Sequence, residues 1–271
     1  MQDPKEYLIQ TLDELIVQLQ EKRRKLILDI DIPRIPLRSS LVVCLDAGHG
    51  GTHPETGQYM TPPQMGRYYR HLNEDGSLAF EIRESDINRQ TAERFATLCQ
   101  AANIEVRRTY HPYLDSPLSE RVRLANQFHQ EALANTQTSI FISFHADAYG
   151  KTLETPIKNG KLVRSRPNGF SVFTSKGKTT SDRLADKLYQ TMETLVGDRI
   201  RYRKDRSDGD DDWEANFTVL YYTLAPAILL ENLFFTNYKD AQLLMSTEYQ
   251  QLTAQAVFDM VVWYEKELRA R

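Results

Sequence analysis

Cysteine is scarce in this chain, and so are long apolar runs and an excess of either charge. Only two cysteines occur among 271 residues. Both stand in apolar stretches, Cys44 in LVVCLDA and Cys99 in FATLCQA, so we expect two buried free thiols and no disulfide framework. No run approaches the roughly 18 apolar residues of a transmembrane helix. A net charge of -3 gives no overall attraction to nucleic acid or to an anionic membrane, so we expect neither nucleic-acid binding nor membrane insertion.

The composition is that of a globular protein. Hydrophobic residues make up 41% and charged residues 26% of the chain, which excludes global disorder. The first residues, MQDPKEYLIQTLDEL, carry acids where a secretion signal has a basic end and an apolar centre. We therefore expect synthesis in the cytoplasm without a signal peptide.

The first 40 residues differ in pattern from the rest. Residues 5–28 are predicted to form one amphipathic helix, which ends before Pro33 and Pro36. The chain is thus expected to divide into an N-terminal helix with its proline-containing connector, 1–39, and a main domain, 40–271. The helix has an apolar stripe that must pack on the main domain or mediate self-association. The stripe consists of Leu8, Leu12, Leu15 and Leu19.

Strand-like and helix-like segments alternate after residue 40. This alternation predicts an α/β fold with a mostly parallel or mixed central sheet and helices on both faces. Two long polar segments, 52–80 and 200–216, are interpreted as functional loops or rims. The predicted strands cover 41–45, 104–109, 139–144, 169–174 and 227–230. The predicted helices cover 87–101, 118–134, 181–195 and 248–267.

Three of the predicted strands end in a side chain that can bind a metal or move a proton. His49 follows the first strand in LDAGHGG, where the flanking glycines are expected to let the backbone turn. His145 ends the strand in SIFISFHAD, two residues before Asp147, and Glu231 closes the strand in PAILLENLFF. Each residue alone could be a hydrogen-bonded strand-end group. Because ligands collect beyond the carboxyl ends of strands in such sheets, the three together predict a metal or acid-base site.

A further ligand is expected at the start of the helix in FEIRESDINRQ. Glu81 and Glu84 both compete for this role, and Glu84 is favoured because it stands at the helix entry. Glu81 is then a solvated acid. 

Three other patterns resemble metal sites but are disfavoured. His71 and Glu74 have the spacing of a zinc carboxypeptidase motif, but no strand precedes them. His53 follows His49 by four residues, yet the glycines between them disfavour a helix. The DGDDD run at 208–212 lacks the glycine position and the terminal acid of an EF-hand loop, so a solvated acidic loop is expected there.

Five ordered motifs resemble the zinc-dependent N-acetylmuramoyl-L-alanine amidases of the Amidase_3 family. They are LDAGHGG, ESDINRQ, LSERVRLAN, SFHAD and PAILLENLFFTN, and the resemblance spans residues 41 to about 268. It implies that His49, Glu84 and His145 bind zinc and that Glu231 is the catalytic glutamate. His53 stands where an acid is more common, and 52–80 resembles an insertion found in members from bacteroidetes and their phages.

This resemblance implies a peptidoglycan hydrolase. The family's zinc-activated water cleaves the amide between N-acetylmuramic acid and the L-alanine of the stem peptide, so peptidoglycan or muropeptides are the expected partner. A phage lysin, which reaches the cell wall only after release from the cytoplasm, is the preferred interpretation. Two alternatives stay open: a zinc peptidase that acts on stem peptides, and a catalytically silent module that binds the wall or regulates another enzyme.

Overall fold

The computed structural model describes residues 39–177 and 179–270. The predicted helix over 5–28 and both expectations for its leucine stripe lie outside the described residues. Strands of the described part are β1 (Leu41–Ala47), β2 (Tyr68–Leu72), β3 (Leu78–Arg83), β4 (Glu105–Arg108), β5 (Thr138–Asp147), β6 (Ile157–Lys158), β7 (Lys161–Leu162), β8 (Ser171–Thr174), β9 (Trp213–Glu214) and β10 (Ala227–Phe234). Its α-helices are α1 (Glu84–Ala101), α2 (Leu118–Ala134), α3 (Thr180–Leu195), α4 (Thr218–Tyr221), α5 (Tyr238–Met245) and α6 (Thr247–Arg269).

A six-stranded mixed sheet forms the centre of the main domain. Its strand order is β4-β1-β5-β10-β8-β9. The four strands β4, β1, β5 and β10 run parallel, whereas β8 is antiparallel to β10. Every residue of β1 is buried, as a central strand covered on both faces requires. The carboxyl ends of β1, β5 and β10 therefore meet at one edge of the sheet.

Helices cover both faces of this sheet. On one face α6 packs against α1 and α3, and on the other α2 packs against α4. Cys44 points to the α2 side, where it joins a core cluster with Ala125 and Phe141, while Phe144 faces Phe95 of α1. The predicted α/β fold is confirmed. Both cysteines are buried and free, as expected, and no helix within the described ranges is long and apolar enough to span a membrane.

The segment 52–80 is more structured than its sequence indicates. We expected no strand next to His71, but His71 lies within β2, which pairs with β3 as an antiparallel hairpin. The outer edge of β2 is also satisfied, since the backbone N–H of Arg70 donates to the Leu153 carbonyl at 2.9 Å and the N–H of Thr155 donates to the Arg70 carbonyl at 3.0 Å. This pairing joins segments about 80 residues apart in sequence, which local periodicity does not detect.

The acidic run at 208–212 also differs from expectation. Asp208 is exposed, in agreement with a solvated loop. Asp212 is only 1% exposed, because the loop folds back against β8 and the start of α3. The expectation of a solvated loop is thus wrong for Asp212.

Candidate metal centre

The turn after β1, which positions His49, has a backbone conformation that differs from the predicted one. His49 itself has the left-handed conformation, with φ of 64°, so the flanking glycines do not supply the positive φ that we expected of them. Gly48 is needed for a different reason. A Cβ atom at this position would lie 2.1 Å from Cε1 of His145, so any side chain would displace that ring.

Three predicted ligands converge beside this turn. Nε2 of His49 lies 3.4 Å from Oε1 of Glu84, and Nδ1 of His145 lies 3.2 Å from the same oxygen. The two imidazole rings stand edge to face with their centroids 5.3 Å apart. Among the described residues, this is the only group of three or more potential ligands whose donor atoms all lie within 4.8 Å of one another.

The protonation states of this group suit metal binding. Burial alone would raise the pKa of Glu84, but the two imidazoles hold it well below its ordinary value, so the carboxyl group is ionised. Burial lowers the pKa of His145 despite the favourable contact with Glu84, which favours the neutral imidazole that metals require. Nε2 of His49 is buried without a hydrogen-bond partner. A buried nitrogen without a hydrogen-bond partner, beside an ionised carboxylate, fits a metal-binding role.

A buried ion pair fixes the turn that carries His49. Nη1 of Arg121 donates to Oδ1 of Asp46 at 2.7 Å and to the Ala47 carbonyl at 2.7 Å, and Nη2 donates to the His49 carbonyl at 3.2 Å. Arg121 and Asp46 are only 2% and 1% exposed. Oδ2 of Asp46 accepts from the Ser143 hydroxyl at 2.7 Å, which links the turn to β5. The His49 carbonyl is therefore held by a side chain of α2, while Asp46 in the same turn is held from β5.

Arg67, from the 52–80 segment, is a site residue that the sequence interpretation missed. Its Nη1 donates to Oε2 of Glu84 at 3.3 Å, which leaves Oε1 facing the two histidines. The Arg67 carbonyl accepts from the Glu84 backbone N–H at 2.9 Å and from the Tyr59 hydroxyl at 2.9 Å. The segment thus orients a predicted metal ligand. In the sequence, only the length of the 52–80 segment indicates a functional role, and the length does not identify Arg67.

Glu231 stands next to the three ligands without joining them. It pairs in register with His145 across the parallel β5–β10 ladder. Its Oε2 is buried and has no hydrogen-bond partner. Burial, and then the negative charges of Glu84 and Asp147, raise the pKa of Glu231 well above its ordinary value. The ladder is irregular just beyond it, and Leu233 has φ of 65° there, so a bulge interrupts the pairing before it resumes at Phe234.

The other candidates lie outside the cluster. Nε2 of His71 contacts the Phe235 carbonyl at 2.9 Å inside an aromatic group, whereas Glu74 is exposed and pairs with Arg164, so the carboxypeptidase-like pair is not assembled. His53 packs on the Tyr113 ring. Glu81 pairs with Arg83 at the surface, as expected of a solvated acid. Asp147 is not part of the three-residue cluster either, and it pairs with Arg203 at 2.8 Å.

The donor set indicates which metal would fit. Two imidazole nitrogens and one carboxylate oxygen form the ligand set of a catalytic zinc centre, which keeps one coordination position for water or substrate. A structural zinc centre has four protein ligands, and no fourth histidine, cysteine or carboxylate joins this group among the described residues. The residues present therefore fit a catalytic zinc ion.

Comparison with known proteins adds an independent observation. The model of one family, N-acetylmuramoyl-L-alanine amidase (Amidase_3), matches residues 43–262. The chain is 27% identical over 195 residues to the N-acetylmuramoyl-L-alanine amidase LytC of Bacillus subtilis. That match covers 70% of this chain but only 33% of LytC, so the chain spans about a third of this relative.

Solved structures show the same fold at low identity. An N-acetylmuramoyl-L-alanine amidase from Clostridium difficile 630 superposes with a TM-score of 0.57 at 22% identity, covering 84% of this chain and 98% of that one. The amidase Ami1 from Mycobacterium smegmatis superposes with a TM-score of 0.60 at 17% identity, again covering 84% and 98%. At these identities the likeness extends to the fold alone.

Proposed function

The chain belongs to the Amidase_3 family, and from this premise we propose that it hydrolyses the amide between N-acetylmuramic acid and L-alanine in peptidoglycan. The observation that carries the proposal is the convergence of His49, Glu84 and His145 beside Glu231 at the carboxyl ends of three adjacent strands. The fold alone would serve many reactions, so the site and the family together support the choice of substrate.

Zinc is the metal proposed for this centre, held by His49, Glu84 and His145. When bound, zinc supplies Lewis-acid activation of water and of the scissile carbonyl. Arg67 keeps Oε2 of Glu84 engaged, so that one carboxylate oxygen remains directed at the histidines. Arg121 holds the His49 backbone in place before substrate arrives.

Glu231 is proposed to move the proton. Its free Oε2 can accept a proton from the attacking water and return it to the nitrogen of the leaving L-alanine. The raised pKa favours this role, because a carboxylate of ordinary acidity is a weak base near neutral pH. Its neighbour in the ladder is His145, one of the proposed ligands, so Glu231 lies beside the proposed metal centre.

Substitution of Glu231 by glutamine tests this assignment. The change keeps the shape of the side chain but removes the base, so turnover of soluble muropeptides should fall by about 100-fold to 10,000-fold. Zinc content and melting temperature should stay near those of the parent. Glu81→Gln is the matched control, because it makes the same substitution at a surface acid, and its turnover should not change. Near-parental turnover in Glu231→Gln would remove this residue from the mechanism.

The site of action is proposed to be the cell wall, with release as a phage lysin. The support is the 52–80 segment, whose length resembles that of family members from bacteroidetes and their phages. Bacteria that produce the protein in the cytoplasm should lyse only after the inner membrane is opened, for example by chloroform. Lysis without any membrane treatment would contradict the lysin role while leaving the amidase chemistry intact.

A further inference from the structure

The buried end of the acidic run 208–212 contains carboxylate oxygens that have no hydrogen-bond partner. Oδ2 of Asp212 accepts a hydrogen bond from the Thr174 hydroxyl at 2.6 Å. Oδ1 of the same residue is buried and has no hydrogen-bond partner, and Oδ1 of Asp210 is in the same state. Asp212 is only 1% exposed, so water cannot solvate this oxygen from the surface. A buried oxygen without a partner is costly, and more so when it carries charge.

These carboxyl groups face one another. Those of Asp210 and Asp212 lie within hydrogen-bond reach, although neither can donate when both are ionised. Asp182, in the first turn of α3, adds a third negative charge at the edge of the pair. Burial, followed by repulsion from Asp210 and Asp182, raises the pKa of Asp212 to about 7. The group therefore needs either a shared proton or a cation.

The neighbouring basic side chains of the described residues are engaged elsewhere. Nζ of Lys204 lies 2.7 Å from Oδ2 of Asp211, and Nε of Arg206 lies 2.9 Å from Oδ1 of Asp211. No basic side chain of residues 39–177 or 179–270 forms an ion pair with Asp210 or Asp212. Among the residues that the structure describes, the nearby basic side chains thus pair with Asp211, and Asp210 and Asp212 have no basic partner.

We propose that Asp210 and Asp212 form a second metal site, which binds a hard divalent cation, namely Ca²⁺. The donors are all oxygens, with no imidazole or thiolate among them, which separates this site from the histidine-containing centre. Ca²⁺ accepts six to eight oxygens in flexible geometry and can complete its shell with water, whereas Mg²⁺ demands a near-ideal octahedron that an irregular loop does not present. This site is independent of the proposed amidase activity.

The cation would connect three parts of the main domain. Asp212 lies in the loop before β9, Thr174 ends β8, and Asp182 lies in α3. The indole Nε1 of Trp213, the next residue, donates to the Arg203 carbonyl at 3.0 Å. Arg203 in turn pairs with Asp147, near Glu231. Ca²⁺ would therefore stabilise the 200–216 segment against the end of β8 and the start of α3.

Terbium luminescence tests the proposal, because Tb³⁺ replaces Ca²⁺ and is excited by a nearby indole. Trp213 directly follows Asp212 and is one of only two tryptophans in the chain. The full chain is loaded with zinc first, so that the histidine-containing centre is occupied, and is then titrated with Tb³⁺. We expect sensitised emission that saturates at one equivalent and is displaced by Ca²⁺. Trp213→Phe should lose the emission but keep a calcium-dependent rise in melting temperature.

Asp212→Asn is the decisive variant, and Asp198→Asn is its matched control at an exposed acid outside the cluster. Ca²⁺ at about 100 times its Kd should raise the melting temperature of the parent and of Asp198→Asn by about 5 to 10 °C. Asp212→Asn should fold, since the amide oxygen can still accept from Thr174, but should lose both the emission and the shift. Asp210→Asn should weaken both. If the parent shows no response to calcium, the proposal is overturned, and a shared proton is assigned to Asp210 and Asp212 instead. Undiminished emission from Asp212→Asn would also overturn the proposal.

Discussion

Arg121→Met is expected to destabilise the protein far more than its single charge suggests. The guanidinium makes hydrogen bonds to the Asp46 carboxylate and to the carbonyls of Ala47, His49 and Ser116. Methionine keeps much of the side-chain volume but none of the donors. The variant would leave Asp46, which is 1% exposed, as an unpaired buried charge.

The expected loss follows from that burial. Removing one partner of a buried ion pair costs about 3 to 5 kcal/mol. For a domain of this size, about 1 kcal/mol corresponds to roughly 2 to 4 °C, so the melting temperature should fall by about 6 to 20 °C. Burial alone would raise the pKa of Asp46, but Arg121 and the Ser143 hydroxyl bring it below its ordinary value. The contribution of the pair is then complete above about pH 4 and is lost as the pH falls through the lower folded pKa.

Thermal unfolding of the two variants Arg121→Met and Arg123→Met measures this difference. Arg123 is the control, because it lies two residues away on the same helix and pairs with Glu120 at the surface, where its side chain is 57% exposed. Such a pair contributes less than about 1 kcal/mol. The difference in melting temperature between the two variants should become smaller below about pH 4, because the stabilisation by the Asp46–Arg121 pair begins to decline there. Equal melting temperatures at pH 7 would refute the buried-pair argument.

Three further outcomes are expected. His49→Ala should lose stoichiometric zinc in metal analysis while His71→Ala retains it, and the reverse result would move the site to the carboxypeptidase-like pair. The pKa of Asp212 is raised in the folded state, so the free energy of unfolding in calcium-free buffer should decline as the pH rises from about 4 to about 7. Asp212→Asn should make this decline less steep. If denaturant titrations give the variant the same pH profile as the parent, the assignment is contradicted. A chain that begins at Arg34 should bind zinc and cleave soluble muropeptides at a rate near that of the full chain, since all four predicted site residues lie beyond residue 40; loss of zinc in a still-folded truncation would show that the preceding segment helps to build the site.

Sequence patterns predicted the parts of the fold that depend on local periodicity. The helix predicted over 118–134 agrees with α2, whose apolar positions recur at helical spacing. The convergence of His49, His145 and Glu231 was predictable too, because each residue lies near the carboxyl end of one of three parallel strands and those strands proved to be neighbours. Glu84 was distinguished from Glu81 by its place at the helix entry, and α1 begins at this residue.

Features that depend on long-range contacts escaped the sequence interpretation. The hairpin that contains His71 is completed by backbone bonds to residues 153–155, which its own pattern does not reveal. Arg67 approaches Glu84 only because that hairpin folds over the start of α1. Asp212 lies in a run of acids that resembles a solvated loop, and its burial depends on Thr174, 38 residues earlier. In each case the position of the residue depends on a contact with a residue that is distant in sequence, and the residue type alone does not indicate that contact.

Mass spectrometry of peptidoglycan digested by the zinc-loaded protein tests the central claim most directly. The amidase proposal predicts free stem peptides that begin with an unblocked L-alanine, together with glycan strands whose muramic acid has lost its peptide. Glu231→Gln should yield neither product at matched zinc content. Shortened peptides that remain attached to muramic acid would instead show a peptidase, and the absence of any product from the parent would show a wall-binding module, and either result would contradict the amidase account.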